Sequence, residues 1–170
     1  VAVKCCVANL YMELIEKEHY LAILGDNVNM YRYVDDILAF VPRACNVNDL
    51  LKRLNDVEPA IQLTVEEERE GTLPFLDVII RRSDHDIKFS VYRKPTNKDD
   101  FVHYFSRHSQ RTKTGIVIGF FLRAYRICSP EYIDDELEYI TRTFRKLKFP
   151  EAQAETQGMG NQEKSRQTKR

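Results

Sequence analysis

Hydrophobic and polar positions follow two periods along the chain, and the change from one to the other predicts helices and strands in mixed order. Apolar residues recur at helical spacing over residues 2–18, 46–57, 113–128 and 130–147. They occur as strand-like segments over residues 29–32, 37–41, 61–65, 73–80 and 87–91. Because helices and strand hairpins both occur, the pattern predicts an α+β fold with an antiparallel sheet and packed helices.

The helical stripes predict which side chains face inward. In the first helix they are Val3, Val7, Leu10, Tyr11 and Leu14. In the last two helices they are Ile116, Val117, Phe120, Phe121 and Ala124, then Ile133, Leu137, Ile140 and Phe144. Asn46 and Ser129 have the chemistry of helix N-caps. Residues 151–170 lack apolar periodicity, so a disordered polar tail is expected there.

The stretch Tyr33-Val34-Asp35-Asp36 places two adjacent carboxylates at the bend of the first predicted hairpin. Like charges beside a buried strand are costly unless a cation is bound there, which favours a divalent-metal site. Asp is also a preferred turn residue, so a solvated Asp-Asp turn explains the same tetrapeptide. The residues of the turn leave both interpretations open.

Charge is distributed unevenly although the formal net charge is zero. Residues 1–90 carry 10 basic and 16 acidic side chains, and residues 91–148 carry 12 basic and 7 acidic ones. A net charge of −6 followed by +5 suits a metal site joined to a surface that binds a polyanion. The stretch after Arg93 is both aromatic and basic, with Phe101, His103, Tyr104, Phe105, Arg107, His108 and Arg111.

The remaining composition narrows the protein class. Cys5, Cys6, Cys45 and Cys128 show no paired spacing, so we expect reduced thiols and no structural zinc. No apolar run approaches the length of a membrane span, and no signal-peptide pattern opens the chain. We expect an intracellular protein, located in the nucleus and without a membrane partner.

Three motifs together resemble the reverse transcriptases of Penelope-like retroelements. The first is the Tyr-x-Asp-Asp hairpin, preceded by Ala8-Asn9-Leu10-Tyr11-Met12-Glu13 on the helix before it. The others are Leu73-Pro74-Phe75-Leu76-Asp77 and Val91-Tyr92-Arg93-Lys94-Pro95-Thr96. The resemblance implies a partial polymerase palm over residues 1–92 and a connection with a helical thumb over residues 93–150.

The resemblance also implies a chemistry, namely RNA-directed DNA synthesis with two metal ions. Asp35 and Asp36 would be the catalytic ligands of Mg²⁺ or Mn²⁺, and Tyr33 and Val34 would lie near the primer terminus and the nucleotide. An RNA template, a DNA primer and deoxynucleoside triphosphates would be the partners. The candidate nucleic-acid contacts are Tyr92, Arg93, Lys94, Thr96, His103, Tyr104, Lys113, Arg123 and Arg126.

The basic residues among these contacts have a plainer interpretation. Arg93 and Lys94 could form an exposed basic turn, and Lys113, Arg123 and Arg126 could belong to a solvated helix face. The phenylalanines of the last two helices are expected in the core. Asp77 is expected to be a strand-end or loop-binding carboxylate and not a third metal ligand.

The resemblance is incomplete. The family's first catalytic aspartate and its fingers region have no counterpart in the sequence, so we expect a truncated and inactive polymerase fragment. In this family an endonuclease domain often follows the thumb, and the sequence leaves open whether one follows here. The alternative is a non-catalytic nucleic-acid-binding module derived from a decayed retroelement, which would bind through residues 92–126. A structural protein in which the acid pair is only a turn is the third interpretation.

Overall fold

The structure is a computed structural model that describes residues 2–25 and 28–150, with side chains described from residue 7 onward. The described residues form two compact units, unit 1 up to residue 67 and unit 2 from residue 68 onward, and the predicted domain boundary at residues 92 and 93 stays a prediction. Two antiparallel sheets and several helices make the protein α+β, as predicted. The predicted tail at residues 151–170 and the Val3 side chain lie outside the described residues.

Unit 1 combines a long helical segment, one hairpin and a short helix. In order these are α1 (Ala2–Ile15), a π-helical turn (Glu16–Tyr20), α2 (Leu21–Leu24), β1 (Asn29–Tyr33), β2 (Asp36–Phe40) and α3 (Val47–Asn55). The two strands pair antiparallel with Tyr33 opposite Asp36, which confirms the hairpin. Asn46 caps α3 as predicted, because its side chain accepts a hydrogen bond from the Asp49 amide at 3.2 Å.

The predicted inward face of the first helix is wrong. Val7, Leu10, Tyr11 and Leu14 are exposed, and Leu10 retains 66% of its accessible surface. The buried side chains of this segment are Ile15, just before the π-helical turn, and Tyr20, the last residue of that turn. Helical spacing identifies which residues share a face, but it does not say whether another element covers that face.

The predicted strand at residues 61–65 is also wrong, since these residues form no strand and join no sheet. At one residue of the segment, Leu63, a side chain of α3 satisfies the backbone instead. The Leu63 amide donates to Asn55 Oδ1 at 2.7 Å, and Asn55 Nδ2 donates to the Leu63 carbonyl at 3.1 Å. An amide side chain that offers both a donor and an acceptor can thus replace a neighbouring strand at one residue.

Unit 2 places a three-stranded sheet beside a helix pair. Its elements are β3 (Thr72–Phe75), β4 (Val78–Arg82), β5 (Ile87–Val91), α4 (Gln110–Ile127) and α5 (Pro130–Lys146). The strands are antiparallel in the order β3-β4-β5, with Ile80 opposite both Leu73 and Phe89. The single strand predicted over residues 73–80 is divided by a tight turn at Leu76 and Asp77, where Leu76 has a φ of 52°.

The two helices enclose the core of this unit. Val117, Phe121 and Ala124 of α4 pack with Ile140 and Phe144 of α5. The flanking side chains Ile116, Phe120, Ile133 and Leu137 pack against this core from partly buried positions. The inward faces predicted for both helices are therefore confirmed.

The junction between the helices closes the outer edge of β5. The Ser129 amide donates to the Phe89 carbonyl at 2.8 Å, and the Phe89 amide donates to Ser129 Oγ at 2.9 Å. Ser129 precedes α5, as predicted for a cap, but its hydroxyl serves the strand and makes no cap hydrogen bond. A free strand edge is thereby covered, and the helix pair is fixed to the sheet.

None of the helices in the described part of the chain combines the length and the apolar character that a membrane span needs. Cys45 and Cys128 are free thiols, and burial raises the pKa of the Cys128 thiol. The side chains of Cys5 and Cys6 lie outside the described set.

Gly71 provides a test of the sheet. It has a φ of 74°, and a Cβ there would approach the Arg82 carbonyl oxygen to 2.6 Å. We expect Gly71→Ala to lower the free energy of unfolding by about 2 kcal/mol or more, measured by urea denaturation. Gly115→Ala is the matched control, because nothing lies near its Cβ position on α4. It should stabilise the protein by up to about 1 kcal/mol, and equal effects of the two changes would refute this account.

Candidate nucleic-acid interface

The start of α4 and the end of α5 meet at one end of unit 2, and Tyr104 joins them. Its amide donates to the Leu147 carbonyl at 3.0 Å, and its ring contacts Phe149 edge to face at 5.4 Å. Its hydroxyl accepts a hydrogen bond from Gln110 of α4 at 3.2 Å. The loop before α4 is therefore held against both helices.

Exposed cations gather around this join. They are Arg107 in the loop, Arg111 in the first turn of α4, Lys146 at the end of α5 and Lys148 just beyond it. We call these four residues the basic end. None of the four has an ion-pair partner among the described residues. Unpaired cations from three segments form a surface that suits a polyanion.

Helix dipoles explain only half of the basic end. Cations at the C-terminus of α5 are favourable, and the acids Glu131, Asp134 and Asp135 near its N-terminus are favourable as well. Arg111 has the opposite position, since it lies in the first turn of α4, which holds no acidic residue. A cation there costs a few tenths of a kcal/mol. Helix stability therefore does not account for Arg111.

Arg93, a predicted phosphate contact, is engaged within unit 2. Its guanidinium forms a two-point ion pair with Glu136, in which Nη1 donates to Oε2 at 2.8 Å and Nη2 donates to Oε1. It also lies 3.7 Å from the centre of the Tyr139 ring. Burial alone would lower the pKa of Arg93, but the hydrogen bond and charge of Glu136 outweigh it, so the pKa is raised. The pair connects the segment after β5 to α5.

Three other predicted contacts, two cations and a tyrosine, are also engaged in the fold. Lys113 is buried, with Nζ 5.4 Å from the centre of the Tyr104 ring. Arg123 pairs with Asp77 at 3.1 Å, which places Asp77 in the loop-binding role expected of it. The half-buried Tyr92 donates its amide to the Asp77 carbonyl at 2.8 Å. These groups shape the unit more than they present charge to a ligand.

The remaining predicted contacts stay accessible. Lys94 and Thr96 lie in an exposed turn after β5, and Arg126 lies exposed near the end of α4, away from the basic end. His103 is exposed in the loop before α4 and is adjacent to Tyr104. Of the predicted set, His103, Tyr104 and the buried Lys113, which packs on the Tyr104 ring, therefore lie beside the basic end.

The acid pair lies at the tip of the unit 1 hairpin. Tyr33, Val34, Asp35 and Asp36 are all exposed, and Val34 has a φ of 55°, an uncommon conformation for a β-branched residue. Arg32 supports the tip by donating to the Val34 carbonyl at 3.1 Å and by pairing with Glu16. Among the described residues, no three His, Cys, Asp or Glu side chains gather as a metal-binding group. Two adjacent carboxylates alone do not make up a two-metal centre, and Mg²⁺ binding there stays a prediction.

Five residues, Phe105 and the four cations of the basic end, were missed by the sequence interpretation, although a signal for some of them was present. Phe105, Arg107 and Arg111 belong to the aromatic and basic stretch, and Arg111 opposes the dipole of the helix that it opens. Lys148 follows α5 closely, but only the fold shows that the end of α5 contacts the loop before α4.

Comparison with known proteins gives one family match. The model described as an animal helix-turn-helix domain matches residues 100–157, about a third of the chain. These residues include α4, the junction at Cys128 and Ser129, and α5. No curated protein and no solved structure matches the chain.

The match corrects the resemblance drawn from the sequence. The matching model is a helix-turn-helix domain and not a reverse transcriptase domain, and it covers most of residues 93–150, which the resemblance had assigned to a connection and a polymerase thumb. The assignment to Penelope-like reverse transcriptases is therefore wrong, together with the nucleotidyl-transfer function that depended on it. Short motifs carry a high false-positive risk, and Tyr-x-Asp-Asp is also ordinary turn chemistry.

The ion pair of Arg93 predicts a stability effect at Glu136, whose side chain is only 10% exposed. Glu136→Gln would leave a largely buried guanidinium without its counter-charge, so we expect a loss of about 3 kcal/mol in the free energy of unfolding. Glu138→Gln, on the exposed face of the same helix, is the control and should change it by less than about 0.5 kcal/mol. Chemical denaturation followed by circular dichroism measures both, and a loss below about 1 kcal/mol for Glu136→Gln would contradict the assigned role.

Proposed function

We propose that the protein is a non-catalytic nucleic-acid-binding module that contacts DNA through the basic end of unit 2. The main support is that three segments bring exposed cations to one end of the helix pair, namely Arg107, Arg111, Lys146 and Lys148. Phosphate groups supply the matching charge, and flexible cations contact them without sequence preference.

The helix-turn-helix match supports this proposal independently of the charge. Proteins with this motif bind DNA through a pair of helices joined by a short turn. Here the connection between α4 and α5 is Cys128 and Ser129. The matched residues also contain all four cations of the basic end.

The usual docking of such a motif does not suit this helix pair. The second helix normally presents its N-terminal residues to the bases in the major groove. In α5 that end carries Glu131, Asp134 and Asp135, and Lys88 of the sheet pairs with Glu131 at 2.6 Å. An acidic, sheet-bound helix start would be repelled by phosphate groups. We therefore place DNA at the opposite end.

Removing two positive charges from the basic end at once tests the proposal. If all four cations contact phosphates, the logarithm of the duplex affinity should fall with the logarithm of salt concentration with a slope of about −3.6. Lys146→Gln with Lys148→Gln should reduce the steepness by about 1.8. Fluorescence anisotropy with a labelled duplex measures the slope.

The control for that pair removes the same charge elsewhere. Lys52 and Arg53 are exposed cations in the last turn of α3 in unit 1. Changing both to Gln should leave the slope within error. Equal slopes for the two double variants would mean that net charge and not the basic end determines binding, and absence of duplex and single-strand binding would refute the function.

Arg111 allows stability and binding to be separated. Arg111 opposes the dipole of α4. The change Arg111→Gln should therefore leave the free energy of unfolding unchanged or raise it by about 0.3 kcal/mol. The same change should weaken DNA binding and reduce the steepness of the salt dependence by about 1. Thermal denaturation and anisotropy are measured on one preparation, and loss of stability without loss of affinity would contradict the assignment.

A further inference from the structure

An aromatic ring stands exposed beside the basic end. Phe105 is 77% exposed, more than any other large hydrophobic side chain among the described residues. A phenyl ring that stays in water does not contribute the stabilisation that its burial in a core would provide. Its position between Tyr104 and Arg107 places it next to the cations of the proposed DNA surface.

The ring is presented by an ordered turn. The Phe105 amide donates to His103 Nδ1 at 3.3 Å, and the Ser106 amide donates to the His103 carbonyl at 2.9 Å. The ring also contacts Tyr104 edge to face at 5.4 Å, and Tyr104 is itself tied to Leu147. A ring held in this way loses little conformational freedom when a ligand stacks on it.

An open groove adjoins the ring. Its walls are Asp100, Phe101, Val102, His103, Ser106, His108 and Ile116. The lining combines apolar groups with a carboxylate and imidazoles that can hydrogen-bond to the edges of a base. An extruded base fits this chemistry better than a phosphate does, because Asp100 would repel a phosphate.

We propose that Phe105 stacks on an unpaired base and that the basic end consequently prefers single-stranded DNA to duplex DNA. The inference rests on the proposed function and specifies its substrate. Cations that contact the backbone and aromatic rings that stack on successive bases are the two features that single-strand binding requires. In a duplex the faces of the bases are covered by their neighbours, so the ring would have no partner there.

The absence of tryptophan from the sequence provides a direct probe. Phe105→Trp introduces a single indole, and stacking of a base on it should quench its fluorescence. We expect saturable quenching by a single-stranded oligothymidylate, and much weaker quenching by a duplex of equal length at the same salt concentration. Tyr31→Trp is the control, because Tyr31 is 61% exposed on the unit 1 hairpin, where no DNA contact is proposed.

Affinity measurements complete the test. Phe105→Ala should weaken single-strand binding by about tenfold, and Phe105→Trp should restore it. Circular dichroism should show that both variants remain folded, since the ring is exposed. Binding that persists by anisotropy without quenching, or with equal quenching by duplex, would overturn the stacking inference and leave the proposed function intact. If neither form of DNA binds to the unaltered protein, both proposals fail.

Discussion

The attachment of the α4–α5 junction to the edge of β5 is the constraint on which the rest of unit 2 depends. Ser129 exchanges two hydrogen bonds with Phe89, and the ion pair of Arg93 with Glu136 repeats the attachment further along α5. Each contact uses polar groups that would otherwise be costly to bury. Together they hold the N-terminal half of α5 on the sheet, whereas the cations at its C-terminal end, Lys146 and Lys148, are exposed.

Internal contacts of unit 2 also explain why several predicted nucleic-acid contacts are unavailable as free charges. Arg93 neutralises Glu136, Arg123 neutralises Asp77, and Lys113 packs on Tyr104. A cation within an aromatic and basic stretch is equally suited to bind phosphate or to complete an internal pair. The difference depends on whether the fold brings a carboxylate or a ring to it. That information is not local in sequence.

The elements of unit 2 were largely predictable, because their signals are local. Alternation over Ile87, Phe89 and Val91 and the helical stripe through Val117, Phe121 and Ala124 both correspond to observed elements. Predictions failed where a nonlocal choice decided the outcome. Leu63 found the Asn55 side chain instead of a strand, and the stripe through Leu10 lies exposed. The family assignment relied on short motifs, which carry a high false-positive risk, and the helix-turn-helix match over residues 100–157 overturned it.

Some charges of the helix pair are explained by helix stability, and others are not. The acidic start and basic end of α5 agree with its dipole, so its charge pattern alone carries no functional information. Arg111 disagrees with the dipole of α4, and Phe105 disagrees with the tendency of large rings to be buried. Both exceptions lie within one loop and the helix turn that follows it. The unfavourable position of Arg111 and the exposure of Phe105 each cost stability, and the two residues lie close together in sequence. Together they are more informative than either alone, because a single ligand, a DNA strand with an unpaired base, would offset both costs.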